Sequence, residues 1–294
     1  MRILFVGGGN MCQAIIGGLF AKGMPATDIH AIEPLAETRA ALGRLGIVSD
    51  SEFHERELDV DVIVLAVKPQ VMKSAVAPFA GKLQSQLVLS IAAGIRCVDL
   101  AQWLAGTEGK PGFAPACAAR SAGYGNIVRA MPNTPALIRA GMTGLYAMGG
   151  VSATARTMAE NLLAAVGKTA WFDDEAMLDA VTAVSGSGPA YVFYFIEALE
   201  QAARELGFNE PTARQFALQT FLGAARLAAD SNESPAILRQ RVTSKRGTTE
   251  RAIDTFDSLA LSNHFVAGVK AACQRSRELG DEMSREATAE TGEN

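Results

Sequence analysis

The chain has 294 residues, which at about 150 per domain argues for two domains, and its 49% hydrophobic and 20% charged residues exclude a disordered or fibrous protein. Lys and Arg number 27 against 31 Asp and Glu, a net charge of −4, so there is no basic excess to neutralise a nucleic-acid backbone. Cys12, Cys97, Cys117 and Cys273 lie far apart, with no C-x-x-C pair and no neighbouring His, which excludes a zinc ribbon or secreted disulfide framework, predicts no metal site and fits a reducing cytoplasm.

In chain order, Ile3–Val6 reads as a buried first strand and not as a signal peptide, since no small-residue cleavage site follows it. No later run reaches the roughly 18 apolar residues of a membrane-spanning helix. Gly7, Gly8 and Gly9 come next, then an amphipathic segment with Ala14, Ile15, Gly18 and Leu19 on one face. Residues 29–32 form a second strand. Residues 61–67 (D-V-I-V-L-A-V) form a third, with the continuous apolar run of a strand buried on both faces, and it stops at Lys68-Pro69. Residues 87–92 repeat the plan and stop at Gly94, and residues 127–131 and 144–148 supply two more strands. This alternation of strands with Ala-rich helical patterns predicts an α/β fold with a parallel sheet. Residues 106–126, rich in Gly and small residues and without period, read as a mobile loop.

After Ser152 the pattern turns helical over residues 152–166, 175–184, 189–206, 211–229 and 262–277, with one short strand at 169–172. From Pro211 onward, Ala213, Phe216, Ala217, Phe221, Ala224 and Ala228 share a face. Residues 190–196 (A-Y-V-F-Y-F-I) are apolar all round, so that helix is enclosed either by its own chain or by a dimer partner.

Gly7, Gly8 and Gly9, followed by Asn10, Met11 and Cys12, stand between a strand and a helix, which is the setting of a dinucleotide-binding turn. Gly7 permits the turn, and Gly9 lets a pyrophosphate reach the N–H groups of a positive helix end. A plain tight turn is the competing reading. Glu33 closes the second strand, where an acid accepts hydrogen bonds from an adenosine ribose and repels a 2′-phosphate. That favours NADH over NADPH, although Arg39 would soften the repulsion and a solvated surface acid is the alternative. Ala66, Val67, Lys68 and Pro69, then Ala92, Ala93 and Gly94, then Met131 to Pro135, end later strands, where ligands of open α/β sheets gather. Small side chains at Ala92 and Ala93 leave room for a flat nicotinamide ring. Each of these is also an ordinary strand-ending turn.

In the helical half, S-G-S-G-P at residues 185–189 starts one helix with Pro in its first turn. Ser244, Lys245, Arg246, Gly247, Thr248, Thr249 and Glu250 open another, whose N–H groups and hydroxyls suit a carboxylate, unless Thr248 is simply an N-cap. Proton donors are scarce there. No Lys lies between Lys168 and Lys245 and no His between His54 and His264, and Tyr191 sits in an apolar helix that favours a core role. The shortage fits a reaction that needs positioning more than acid catalysis.

Six motifs in order, G-G-G-N-M, A-V-K-P-Q, S-I-A-A-G, R-A-M-P-N-T-P-A, S-G-S-G-P-A-Y and V-T-S-K-R-G-T-T, resemble those of Δ1-pyrroline-5-carboxylate reductases from Met1 to about Leu279. The resemblance implies a Rossmann-type dinucleotide-binding domain over 1–172, an all-helical substrate-binding and dimerisation domain over 173–282, and a disordered tail over 283–294. It also implies NADPH- or NADH-dependent reduction of 1-pyrroline-5-carboxylate to L-proline by a cytoplasmic homodimer or higher oligomer. By similarity, Val6, Gly7, Gly8, Gly9, Asn10 and Met11 line the dinucleotide with Ala66, Val67, Lys68, Pro69, Ala92, Ala93 and Gly94. Glu175, Ser244, Gly247, Thr248 and Thr249 would hold the substrate, with Thr249 as the catalytic contact to the ring nitrogen. A different cyclic imine reductase and a non-catalytic dinucleotide-binding regulator are the alternatives. The chain departs from the family's usual S-P-G-G-T-T at Lys245 and Arg246, adds the stretch 106–126, and has Glu33 where many relatives tolerate a phosphate.

Overall fold

The computed structural model describes residues 1–106 and 123–289, with side chains as far as Arg285. Most of the loop expected over 106–126, and Cys117 with it, lies outside the described residues. Two compact units emerge, one of Met1–Gly186 with Ala272–Asn294 and the other of Ser187–Ala271.

The first unit runs β1 (Ile3–Val6), α1 (Asn10–Ala21), β2 (Ile29–Ile32), α2 (Ala36–Arg44), β3 (Val48–Asp50), β4 (Val62–Leu65), α3 (Met72–Val76), β5 (Leu87–Ser90), α4 (Cys97–Ala105), β6 (Ile127–Met131), β7 (Gly141–Ala147), α5 (Ala153–Leu163), β8 (Gly167–Phe172) and α6 (Met177–Val181). Its sheet has the order β3-β2-β1-β4-β5-β6-β7-β8. Neighbouring strands from β3 through β6 are parallel, β7 runs against β6, and β8 is parallel to β7. Every residue of β1, β4 and β5 is buried, because helices cover both faces and alternate side chains enter opposite cores. Ile3, Phe5, Val64 and Leu89 pack with Ile15, Ile16 and Leu162 on one side. Leu4, Ile63, Leu65 and Val88 pack with Met72, Phe79 and Leu100 on the other. Each such side chain contributes about 1.5–3 kcal/mol by leaving water.

The second unit holds α7 (Gly188–Glu205), α8 (Glu210–Asp230), α9 (Pro235–Arg241), α10 (Thr248–Ser258) and the start of α11 (Leu261–Ala289). Asn209 caps α8 by accepting from Thr212 N at 3.0 Å, and Ser234 caps α9 by accepting from Ile237 N at 3.4 Å. Within this unit only Ala213 and Ala217 are buried; of the rest of the apolar face expected along α8, Phe221 and Ala228 are half-buried and Phe216 and Ala224 exposed. Phe193, Tyr194 and Phe216 are 59%, 69% and 57% exposed, so α7 is not enclosed by its own chain.

Two boundaries differ from the sequence reading. The compact units part at 186/187, some way past the 172/173 expected for the domains, because α6 packs on the sheet, where Leu178 is buried and a Cβ on Gly144 of β7 would stand 2.8 Å from Val181. Helical periodicity marks the kind of element, not what it packs against. The tail expected to be disordered from 283 is helical to Ala289, held by a 2.7 Å hydrogen bond from Ser284 Oγ to Asp99 on α4.

Candidate active site

The C-terminal ends of β1, β4 and β5, neighbours in the sheet, carry the three segments expected to line a dinucleotide. Gly7 N donates to Ile32 O and Ala66 N to Val6 O, both at 2.8 Å, which sets the turn after β1 beside the end of β4. Gly7 has φ +98°, and a Cβ there would stand 2.8 Å from Ala66 O, so glycine is required on both counts. Gly9 borders open space, since a Cβ there would meet nothing within 4 Å. It caps α1 without any side-chain hydrogen bond, and Asn10 beside it is exposed. The leading N–H groups of α1 therefore face outward at a positive helix end, which fits a pyrophosphate. Cys12 lies in the core, where burial pushes its thiol up, so it is a packing residue. Lys68 is exposed at the rim, and Ala66, Val67 and Pro69 are half-buried.

Glu33 does not face outward as expected. It is buried, and its Oε2 accepts from Gly8 N at 2.8 Å while Oε1 accepts from Leu35 N at 2.9 Å. Two backbone donors draw the carboxylate inward, so it braces the glycine turn. Arg39 reinforces the same corner, with Nη1 donating to Glu33 O at 2.8 Å and Pro34 O at 2.7 Å.

After β5, Ala92 and Gly94 are buried and Ala93 is half-buried. A Cβ on Gly94 would stand 3.2 Å from Met283 Sδ, and Arg96 pairs with Asp281, so the end of α11 covers this loop. Glu175, expected at the substrate, is engaged inside the first unit. Its Oε1 accepts from Cys97 N, the first residue of α4, at 2.8 Å and from Arg129 Nη1 on β6 at 2.9 Å. The side chains of Arg129 and Glu175 are 5% and 22% exposed. Burial, then the Glu175 charge, pushes the Cys97 thiol up. Arg129 was missed in the sequence, although a cation inside the buried run I-V-R-A-M was its signal. Asn133 was also missed as a tie. Its Nδ2 donates to Ser185 O and Oγ, both at 3.1 Å, and its Oδ1 accepts from Met142 N at 2.9 Å. The motifs around residues 131–135 and 185–189 thus meet at a π-helical turn, Thr182–Gly186.

The Ser244 to Thr249 segment belongs to the second unit. Gly247, not Thr248, occupies the N-cap of α10, and no side chain caps that end. Gly247 N donates to Ser244 O at 3.0 Å, and Arg246 N donates to Glu250 Oε2 at 2.6 Å. Arg246 adopts φ 60°, the left-handed conformation, so the loop keeps a glycine-like turn with Arg in it. Among the described residues the Thr248 and Thr249 hydroxyls have no hydrogen-bond partner. Tyr191 packs edge-on against Phe265 with ring centroids 5.8 Å apart, as a core role requires, yet its hydroxyl is buried without a partner.

No helix among the described residues is long and apolar enough to cross a membrane. Residues 175–279 match the family described as pyrroline-5-carboxylate reductase dimerisation, and residues 2–94 match NADP oxidoreductase coenzyme F420-dependent. A pyrroline-5-carboxylate reductase of Pseudomonas aeruginosa is 46% identical, covering 97% of this chain and 98% of its own. One of Haemophilus influenzae is 39% identical over 94% and 97%. The solved structure of a pyrroline-5-carboxylate reductase from Coxiella burnetii superposes with TM-score 0.83 at 38% identity, covering 95% of this chain and 98% of that one. The Plasmodium falciparum pyrroline carboxylate reductase with NADP bound gives TM-score 0.77 at 25% identity over the same shares.

Proposed function

Since the chain belongs to the pyrroline-5-carboxylate reductase family, we propose that it reduces 1-pyrroline-5-carboxylate to L-proline, the last step of proline biosynthesis, as a cytoplasmic homodimer. The observation that carries the site assignment is the uncapped start of α10, where the free Thr248 and Thr249 hydroxyls stand beside outward N–H groups. That end holds the substrate carboxylate through Ser244, Gly247 and Thr248, and Thr249 orients the ring nitrogen. A bound dinucleotide on the Gly7–Met11 turn supplies the hydride. The iminium carbon accepts it, the nitrogen becomes a neutral amine, and no side chain has to deliver a proton in that step.

The NADP-bound relative supports a nicotinamide dinucleotide as cofactor, and Arg39 lies in the corner after β2 where a 2′-phosphate would come. The exposed Phe193, Tyr194 and Phe216, set against only two buried residues in the second unit, support a partner subunit on that unit. Free thiols at Cys12, Cys97 and Cys273 support the cytoplasmic setting.

The test is steady-state turnover with both reduced nicotinamides, together with Thr249→Ala. Losing one hydrogen bond to a charged substrate is worth about 1.5–3 kcal/mol, so kcat/KM should fall at least about tenfold while cofactor affinity holds. An equal loss of cofactor binding would reject the assignment. Tight dinucleotide binding without turnover would favour a regulator, and preference for a six-membered ring would favour another imine reductase.

A further inference from the structure

At the sheet edge behind Glu33, whose N–H donates to Asp50 O at 2.9 Å, a second cluster assembles. β2 pairs with β3 in the register His30↔Val48 and Ile32↔Asp50, so His30 and Asp50 share one face. The 3-10 turn Glu55–Leu58 then brings Glu57 onto the pair. His30 Nε2 lies 3.2 Å from Asp50 Oδ2 and 3.3 Å from Glu57 Oε1. The three ligand atoms all lie within 4.8 Å of one another.

Glu57 makes this more than a surface cluster. Its side chain is 4% exposed, and Oε2 accepts from His54 N at 3.0 Å. Oε1, the atom aimed at His30 and Asp50, is buried with no hydrogen-bond partner. A buried carboxylate oxygen that makes no hydrogen bond, with His30 Nε2 beside it at 3.3 Å, calls for a cation, met either by a protonated His30 or by a bound ion. Two of the three spacings suit a small ion. Around a tetrahedral ion with bonds of about 2.0–2.1 Å, adjacent ligand atoms stand about 3.3–3.4 Å apart. The two His30 separations come within about 0.2 Å of that edge length.

We propose that His30, Asp50 and Glu57 form a site for one divalent transition-metal ion of the zinc class. One imidazole and two carboxylates suit such an ion better than Mg²⁺ or Ca²⁺, which prefer all-oxygen shells. Two carboxylates balance its charge, and His30 and Asp50, at 24% and 29% side-chain exposure, leave solvent access to a fourth position. Arg56 Nη2, 3.2 Å from Asp50 Oδ2, is the competing cation, but its side chain is 73% exposed and withdraws into water as the ion enters. The ion ties β2 to β3 and to the turn that follows. Because β2 leads directly into Glu33, the brace on Gly8, metal binding stiffens the strand that supports the glycine turn.

The experiment uses the full chain, stripped with a chelator and titrated with ZnCl₂ by calorimetry and with CoCl₂ by visible spectroscopy. One equivalent should bind, Co²⁺ should give four-coordinate d–d bands without a thiolate charge-transfer band, and saturating Zn²⁺ should raise the thermal midpoint by about 2 °C or more. His30→Gln and Asp50→Asn, checked for folding by circular dichroism, should each weaken binding at least about tenfold. Absence of stoichiometric binding, a thiolate band, or wild-type affinity in both variants would overturn the site. Should the variants not fold, the Co²⁺ spectrum of the unaltered chain decides alone.

Discussion

Arg129→Met isolates the internal pair beneath α4. The substitution keeps an apolar stem in the sheet and removes the guanidinium that Glu175 Oε1 meets at 2.9 Å. Breaking a fully buried pair costs about 3–5 kcal/mol, because the surviving charge is stranded. Here the survivor is Glu175, which is 22% exposed and keeps Cys97 N at 2.8 Å, so the cost drops to about 2–3 kcal/mol. Glu175→Leu strands the deeper partner, since Arg129 is only 5% exposed, and incurs the full cost of about 3–5 kcal/mol. The double variant strands neither charge. It should be more stable than Glu175→Leu alone by about 1–2 kcal/mol. Both tryptophans of the chain, Trp103 and Trp171, lie in the first unit, so urea unfolding followed by their fluorescence reads that unit directly. Costs that simply add in the double variant would refute the stranded-charge reasoning.

Glu33→Ala removes the acceptor for Gly8 N and Leu35 N, charge-assisted bonds worth about 1.5–3 kcal/mol each, and should raise the dissociation constants of NADH and NADPH alike by tenfold or more. A selective gain for NADPH in the same titration would return Glu33 to the ribose. Arg246→Gly relieves a left-handed conformation that costs a non-glycine residue about 1–2 kcal/mol, and unfolding followed by circular dichroism should show a gain of about 0.5–1 kcal/mol after the roughly 0.5–1 kcal/mol entropy of glycine is counted. A loss would mean that the Arg246 side chain holds the loop. Burial pushes the Tyr124 phenol up to about 12 from its ordinary value of 10.0. The folded chain therefore keeps that proton longer than the unfolded chain, and its contribution is full below pH 10 and lost as pH rises towards about 12. Tyr124→Phe should flatten this alkaline limb, by up to about 2 kcal/mol, although it also gives up the hydrogen bond to Gln86 O. A limb of unchanged slope would place the titration elsewhere.

The features readable from the sequence are those set by near neighbours along the chain. V-I-V-L and L-V-L-S announce buried strands because their cover is helical on both faces, and Gly7 to Cys12 announce their turn because strand, glycine and helix follow one another directly. β3 went unread because an edge strand of three residues, with Val48 67% exposed, has no apolar run to show. Glu33 was located correctly at the end of β2, but its direction depends on Gly8, 25 residues upstream. Glu175 finds Cys97 at a separation of 78 and Arg129 at 46, and only the sheet order brings those partners together. The unit boundary was hidden for the same reason, since α6 reads as helix whether it packs on the sheet or on other helices.

Buried Glu33 and half-buried Glu175, both near strand ends, thus share one task. Glu33 holds the turn after β1, and Glu175 with Arg129 holds the start of α4 behind the loop after β5. Each directs its carboxylate at backbone N–H groups or a guanidinium. An enzyme reducing a carbonyl has to protonate an alkoxide and would need such a group free. An iminium substrate brings its own charge and leaves as an amine, so the same charges are more useful as braces that fix where the hydride arrives. Loop rigidity at β1 and β5, and not the titration of any one side chain, is then what couples this fold to the proposed reaction.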